Sequence, residues 1–297
     1  MTMRDDLPEI RGQYRFDAPL AKTTWFQVGG AADVLFKPAD VADLAHFLKH
    51  KPADLPVTVL GVGSNLIIRD GGIAGVVIKL GRGFTQAMRQ GEEIEAGAAL
   101  LDVHLARFAA DEGRAGLEFF AGIPGTVGGA LAMNAGAYGR ETKDCLTRAE
   151  AVMQDGTVVM LELDEMRYSY RHYGGPAGLI FTRAWFATTA DDPAAIHARI
   201  ADIQASREAT QPVRERTGGS TFKNPHGHKA WQLVDAAGCR GLRIGDAQMS
   251  ELHANFMINT GAATAADLEA LGEEVRSRVK THSGVLLEWE IKRIGRA

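Results

Sequence analysis

Gly122-Ile123-Pro124-Gly125-Thr126-Val127-Gly128-Gly129-Ala130-Leu131-Ala132-Met133-Asn134-Ala135-Gly136-Ala137-Tyr138-Gly139 sets six glycines among small residues. A ligand can therefore approach main-chain N–H groups here without meeting side chains. Pro124-Gly125 reads as a turn. After it, Thr126 is placed to cap a short apolar helix, Val127 to Met133, whose first N–H groups are expected to face an anion lying over the turn. A diphosphate is the natural guest. The same run also reads as a tight helix packed closely on a neighbour, and the stretch alone does not separate the two.

A second run lies upstream: Leu60-Gly61-Val62-Gly63-Ser64-Asn65-Leu66-Ile67-Ile68-Arg69-Asp70-Gly71-Gly72, after the β-type segment Val57 to Leu60. Gly, Ser and Asn stand where a phosphate cradle wants small donors. The run is not the dinucleotide fingerprint, because Leu66 replaces the third glycine and no long helical pattern follows. It is not a P-loop either, since no Gly-Lys-Ser/Thr closes it. With Thr23-Thr24-Trp25-Phe26-Gln27-Val28-Gly29-Gly30 further upstream, three loops are expected to converge on one extended cofactor. The expected lining is Gly61, Gly63, Ser64 and Asn65 with Gly122, Ile123, Pro124, Gly125, Thr126, Gly128 and Gly129. A branched side chain at Gly63 or Gly128 is expected to occupy the space the diphosphate needs.

These segments, with SYRHY from Ser169, GGSTFKNP from Gly218, SELHANFMIN from Ser250 and VLLEWEIKRIG from Val285, span nearly the whole chain. In that order they resemble the UDP-N-acetylenolpyruvoylglucosamine reductases, flavoproteins that complete UDP-N-acetylmuramic acid for bacterial cell-wall synthesis. The resemblance implies an α+β protein. Residues 1–190 would form a two-lobed FAD-binding unit of the vanillyl-alcohol oxidase-like (PCMH-type) kind, with lobes of about 1–80 and 81–190. Residues 191–297 would form an α+β substrate domain. It further implies non-covalent FAD, NADPH as reductant, a nucleotide-sugar substrate, hydride transfer from flavin N5 to C3 and a proton from Ser220 to C2.

Composition agrees with a soluble enzyme. The 297 residues are 45% apolar and 24% charged, ordinary for a globular chain long enough for two or three cores. A net charge of −4 argues against a nucleic-acid partner. No apolar run approaches membrane-spanning length, and Met1 to Gly12 lacks the apolar region of a secretory signal, so no membrane insertion and a cytoplasmic location are expected. Two cysteines, Cys145 and Cys239, make neither a disulfide framework nor a metal site and read as buried thiols.

Along the chain, strands are expected at Ala32 to Phe36, Val57 to Leu60, Asn65 to Arg69 and Val76 to Leu80, with a helix from Val41 to about Lys51. A hairpin pairs Phe84 to Arg89 with Glu93 to Ala96. The helix Leu100 to Ala110 is expected to present Leu101, His104, Leu105 and Phe108 on one face. Asp155-Gly156 turns a second hairpin, Ile180 to Phe186 adds a strand, and Ala194 to about Arg207 is a helix. Trp231 to Ala237 and Ala266 to Lys280 read as helices, the second opened by Thr264, and Val285 to Ile291 as the closing strand. The stretch between Ile180 and Arg199 is too short for the tyrosine-bearing loop of some family members, so the short-loop branch is the nearer likeness.

Reducing an enol ether attached to a carboxylate needs a hydride, a proton on the neighbouring carbon and a cation or donor for the transient charge. Arg171 has the planar fork that suits a carboxylate, and also reads as a solvated loop arginine. Ser220 follows two glycines, a pattern that is often only a turn. Glu290 shares a strand face with Glu288 and Lys292, as a salt-bridged face would. The resemblance makes Arg171 the group that polarises the enolpyruvyl unit, Ser220 the proton donor and Glu290 the carboxylate beside Arg171. Lys223 and Asn224 can bind polar groups near Ser220, and the resemblance makes Asn224 a substrate contact; His253 and Asn255 are expected to line the pocket, while Arg207 is a diphosphate candidate by charge alone. Family members usually carry a small hydroxyl residue where this chain has Tyr173. The alternatives are an oxygen-using flavin oxidase on the same scaffold, or a nucleotide-sugar binding protein without turnover.

Overall fold

Asp40 shows how local sequence starts an element: its side chain accepts from Asp43 N at 2.9 Å, and the helix Val41–His50 follows with Leu44, Phe47 and Leu48 buried. The computed structural model describes residues 6–297, so the first five residues of the charged N-terminal stretch lie outside the description. The chain divides into two units. One takes residues up to Arg15, 34–61 and 75–205; the other takes 16–33, 62–74 and 206–297.

The first unit is built on a five-stranded antiparallel sheet, in the order Val158–Glu162, Leu146–Val152, Ile180–Ala187, Glu93–Gly97 and Ala87–Gln90. Both hairpins expected from the sequence are present. The central strand Ile180–Ala187 is buried at six of its eight positions, as a strand covered on both faces must be. Helices Asp102–Asp111 and Val127–Met133 contribute Leu105, Ala106, Ala109, Val127, Ala130 and Leu131 to the same core as Ile94, Ala184 and Phe186. A parallel pair, Val57–Val59 with Ile73–Ile78, joins in register from Val57↔Val76 to Val59↔Ile78.

One helix face differs from expectation. His104 is exposed, and the inward row is Asp102, Leu105, Ala106, Ala109 and Ala110. Leu101 stands outside the helix as its N-cap, bridged to Thr126, so the helix begins two residues later than expected.

The second unit holds a four-stranded antiparallel sheet, in the order Thr217–Ser220, Phe256–Asn259, Ala247–Met249 and Arg243–Ile244. Helices Ala230–Ala236 and Ala265–Ser283 pack with it around Met249, Met257, Leu268, Leu271, Val275 and Leu287. Thr264 opens the longer helix with a full capping box to Asp267. The expected closing strand is displaced. Residues 285–291 form no ladder beyond a single bridge, Phe222↔Trp289, and the regular strand is Lys292–Ile294, parallel to Leu66–Ile68. The alternation survives nonetheless, because Leu287 and Ile291 are buried and the Trp289 ring lies over Gly272, where a methyl group would collide with it.

Candidate active site

The glycine-rich helix forms as read, with the Thr126 side chain accepting from Gly129 N and Asn134 ending it at φ +47°. The N–H groups of its first turn find acceptors within the protein. Val127 N donates to Leu100 O at 3.0 Å, Gly128 N to Ala98 O at 2.8 Å, Gly129 N to Thr126 Oγ1 at 3.4 Å and Ala130 N to Thr126 O at 2.9 Å. Every N–H of the first turn is thus spent within the protein. A Cβ at Gly128 would lie 3.0 Å from Ala98 O, and one at Gly63 2.7 Å from Thr23 O, so these glycines serve close backbone packing and their side chains would not project into a ligand's space.

The open positions are their neighbours. A Cβ at Gly61 or Gly129 would meet only Thr126 Oγ1, at 3.1 and 3.5 Å. The N–H groups of Gly61, Val62, Gly63 and Ser64, and those of Gly125 and Thr126, donate to no acceptor among the described residues. Gly63 adopts φ +66°, and its carbonyl accepts from Trp25 N at 3.1 Å. Successive free amides around a left-handed residue make a concavity for an anion, so the residues of the 61–64 loop fit a diphosphate-bearing cofactor. Asn65 serves a different end: its Nδ2 donates to Glu290 O at 3.2 Å, and its carbonyl accepts from Lys292 N at 3.0 Å.

Beneath the Gly125 turn lies a group the sequence reading passed over. Asp102 is wholly buried at the start of its helix, and neither carboxyl oxygen has a hydrogen-bond partner among the described residues. Asp102 N donates to Gly125 O at 3.2 Å, and a Cβ on Gly125 would lie 2.7 Å from Asp102 Oδ2. Burial pushes the carboxyl well above the usual carboxylate range.

Arg171 belongs to the first unit. It sits in a tight turn closed by Ser169 and His172, with a left-handed φ of +53° that a bulky residue adopts only when its surroundings impose it. Its guanidinium donates from Nη2 to Gly136 O at 2.7 Å, lies 3.6 Å from Glu141 Oε1 and stacks on Tyr170 at 5.0 Å, and the side chain is 17% exposed. Asn134 Nδ2 donates to both Glu141 Oε2 and Ser169 O, at 3.1 Å each. The arginine is therefore aimed by the glycine-rich stretch. Glu141 and Asn134 do this positioning, and the only sequence signal was an asparagine just past a helix end. Tyr173 packs edge-on against Tyr168 and Phe181, and its hydroxyl donates to Pro176 O, so here the tyrosine is a wall of the loop.

Ser220 and Glu290 belong to the second unit and are joined by one backbone segment. Ser220 pairs in register with Phe256; Thr221 N donates to Asn255 O at 2.7 Å; Glu290 N donates to Thr221 O at 2.8 Å. Gly219, at φ +76°, makes the irregularity that precedes Ser220. The buried Asn255 locks the next residue, donating to Phe222 O at 2.9 Å and accepting from Phe222 N at 3.1 Å. Lys223 Nζ lies 3.5 Å from Glu288 Oε2, and Asn224 Oδ1 accepts from Ala230 N at the start of a helix. His253 accepts from Asn255 N through Nδ1 at 3.2 Å, and burial lowers its pKa. Arg207 lies on the helix Pro193–Thr210, where Nε donates to Gln211. Cys145 and Cys239 are buried free thiols, the first pushed up to about 12 by burial.

Comparison with known proteins bears on both ends of the chain. Residues 32–162 match an FAD binding domain, and residues 211–294 match the C-terminal domain of UDP-N-acetylenolpyruvoylglucosamine reductase. A reductase of that name from Azorhizobium caulinodans is 62% identical over 289 residues, covering 97% of this chain and 94% of its own. Another from Phenylobacterium zucineum is 58% identical over 299 residues and covers both chains completely. The crystal structure of the Thermus caldophilus reductase superposes with a TM-score of 0.83 at 33% identity, over 96% of this chain and 99% of that one. Glucooligosaccharide oxidase from Acremonium strictum, at TM-score 0.50 and 13% identity, shares the fold alone. The expected α+β architecture, an FAD-binding unit joined to a C-terminal domain of this family, is borne out, and FAD is its cofactor.

Proposed function

This chain belongs to the UDP-N-acetylenolpyruvoylglucosamine reductase family, and from that premise we propose that it reduces the enolpyruvyl double bond of UDP-N-acetylglucosamine enolpyruvate to give UDP-N-acetylmuramate. A bound FAD would supply hydride chemistry, with NADPH as the hydride source and C3 of the enolpyruvyl group as the acceptor. The 61–64 amides hold the diphosphate of the cofactor. Residues 1–190, in two lobes of about 1–80 and 81–190, serve the cofactor, and 191–297 serve the substrate. The reading carries with it a cytoplasmic location, with no nucleic-acid partner. No helix among the described residues is long and apolar enough to cross a membrane.

Arg171 grips the substrate carboxylate, with its fork held in place by Gly136 and Glu141. Ser220 Oγ donates the proton to C2. Glu290 is the carboxylate that acts on the enolic charge. Lys223, Asn224, His253, Asn255 and Arg207 serve the remaining substrate groups, either directly or by positioning their neighbours. The observation that carries the assignment is the shared backbone: Thr221 bonds at once to Asn255 and to Glu290, so the serine and the carboxylate cannot drift apart.

Anaerobic stopped-flow kinetics test it. Ser220→Ala should bind FAD and be bleached by NADPH at close to the normal rate. Reoxidation by the enolpyruvyl substrate should slow by roughly 10²- to 10⁴-fold, as for loss of a general acid. Equal slowing of both halves would mean that Ser220 positions a shared site and that the proton comes from elsewhere.

A further inference from the structure

Among the aromatic side chains of the second unit, Trp231 is 40% exposed on the first turn of the helix Ala230–Ala236. Its indole stands at 6.5 Å from the His253 ring, which in turn meets Phe256 edge-on at 4.6 Å. Phe256 is the strand partner of Ser220. A row of three rings thus runs from the serine out to an open indole face. The start of the tryptophan's helix is fixed by Asn224, four residues past the serine, through the bond to Ala230 N.

His253 adds direction to this row. Because Nδ1 accepts from Asn255 N, the neutral ring carries its proton on Nε2, and that N–H has no acceptor among the described residues. An exposed indole face beside a half-buried, unsatisfied N–H is suited to a flat heterocycle bearing a carbonyl, since the face takes the ring and the donor takes the oxygen.

Resting on the reading that the substrate is a uridine nucleotide sugar, we propose that Trp231 and His253 form the subsite for its pyrimidine base, with the indole stacked on the ring and His253 Nε2–H donating to a ring carbonyl. Trp231 is then a specificity residue remote from the reacting carbons. It sets affinity for the nucleotide and leaves the proton transfer alone.

Titrating FAD-loaded enzyme with UDP, and following tryptophan fluorescence or heat, tests the subsite. Trp231→Ala should weaken UDP roughly 5- to 150-fold, the usual range for removing one base–aromatic stack. Trp231→Phe should recover most of the loss, and flavin content and its reduction by NADPH should match the parent protein. His253→Phe should weaken UDP while leaving N-acetylglucosamine 1-phosphate unaffected. If Trp231→Ala binds UDP within twofold of the parent, the subsite is refuted even where the parent reoxidises its flavin with the enolpyruvyl substrate. If the parent itself fails to turn over that substrate, the functional reading fails instead.

Discussion

The buried carboxyl of Asp102 makes a quantitative demand on stability. Folding takes this group from water, where it ionises near 3.8, into a site where neither oxygen finds a partner. The folded state therefore keeps a proton that the unfolded chain has released, and stability must fall as pH rises above the unfolded value. Each pH unit costs up to about 1.4 kcal/mol for as long as the folded carboxyl keeps its proton. Full exclusion from solvent means that no screening discount applies. Asp102→Asn preserves the shape and removes the proton equilibrium. It leaves a polar group equally unpartnered, which adds an offset that does not vary with pH. The assay is urea unfolding of FAD-loaded parent and variant from pH 5 to 8. The variant should gain on the parent by up to about 1.4 kcal/mol per pH unit across the lower part of that window. A difference that stays flat with pH would show that Asp102 is ionised in the folded protein and would refute the reasoning.

Gly61→Val and Gly129→Val should yield soluble protein that loses flavin on dilution, since a Cβ at either position would meet only Thr126 Oγ1. Gly128→Val, which collides with Ala98 O, should lower the midpoint of thermal unfolding whether or not FAD is present. Arg171→Ala should slow flavin reoxidation and raise the substrate KM, whereas Glu141→Gln should slow the same half-reaction less, because Gly136 O still holds the guanidinium; full loss in Glu141→Gln would make Glu141 a direct participant. Thr264→Ala removes the capping box of the longest helix and should cost about 1 kcal/mol in denaturant unfolding. Gly272→Ala drives a methyl group into the Trp289 ring and should destabilise far more than any surface change, read by the same assay.

Features controlled by neighbours along the chain were legible in the amino-acid sequence. Thr126 and Thr264 mark helix starts because a hydroxyl reaches only its own first turn, and Asp155-Gly156 marks a hairpin because its backbone geometry is local. The motif order was equally legible, and with it the family, the cofactor and the candidates Arg171, Ser220 and Glu290. What an N–H or a missing Cβ faces depends on chain far away in sequence. Gly128 and Gly61 look alike as letters, yet one is packed against Ala98 and the other is open, and the first two amides of the expected anion helix are taken by residues some thirty positions earlier. The closing strand moved from Val285–Ile291 to Lys292–Ile294 because its ladder partner, Leu66–Ile68, lies more than two hundred residues away. Asp102 reads as an ordinary first-turn acid until the tertiary fold closes over it, because desolvation depends on everything packed around a group and on nothing in its own heptapeptide.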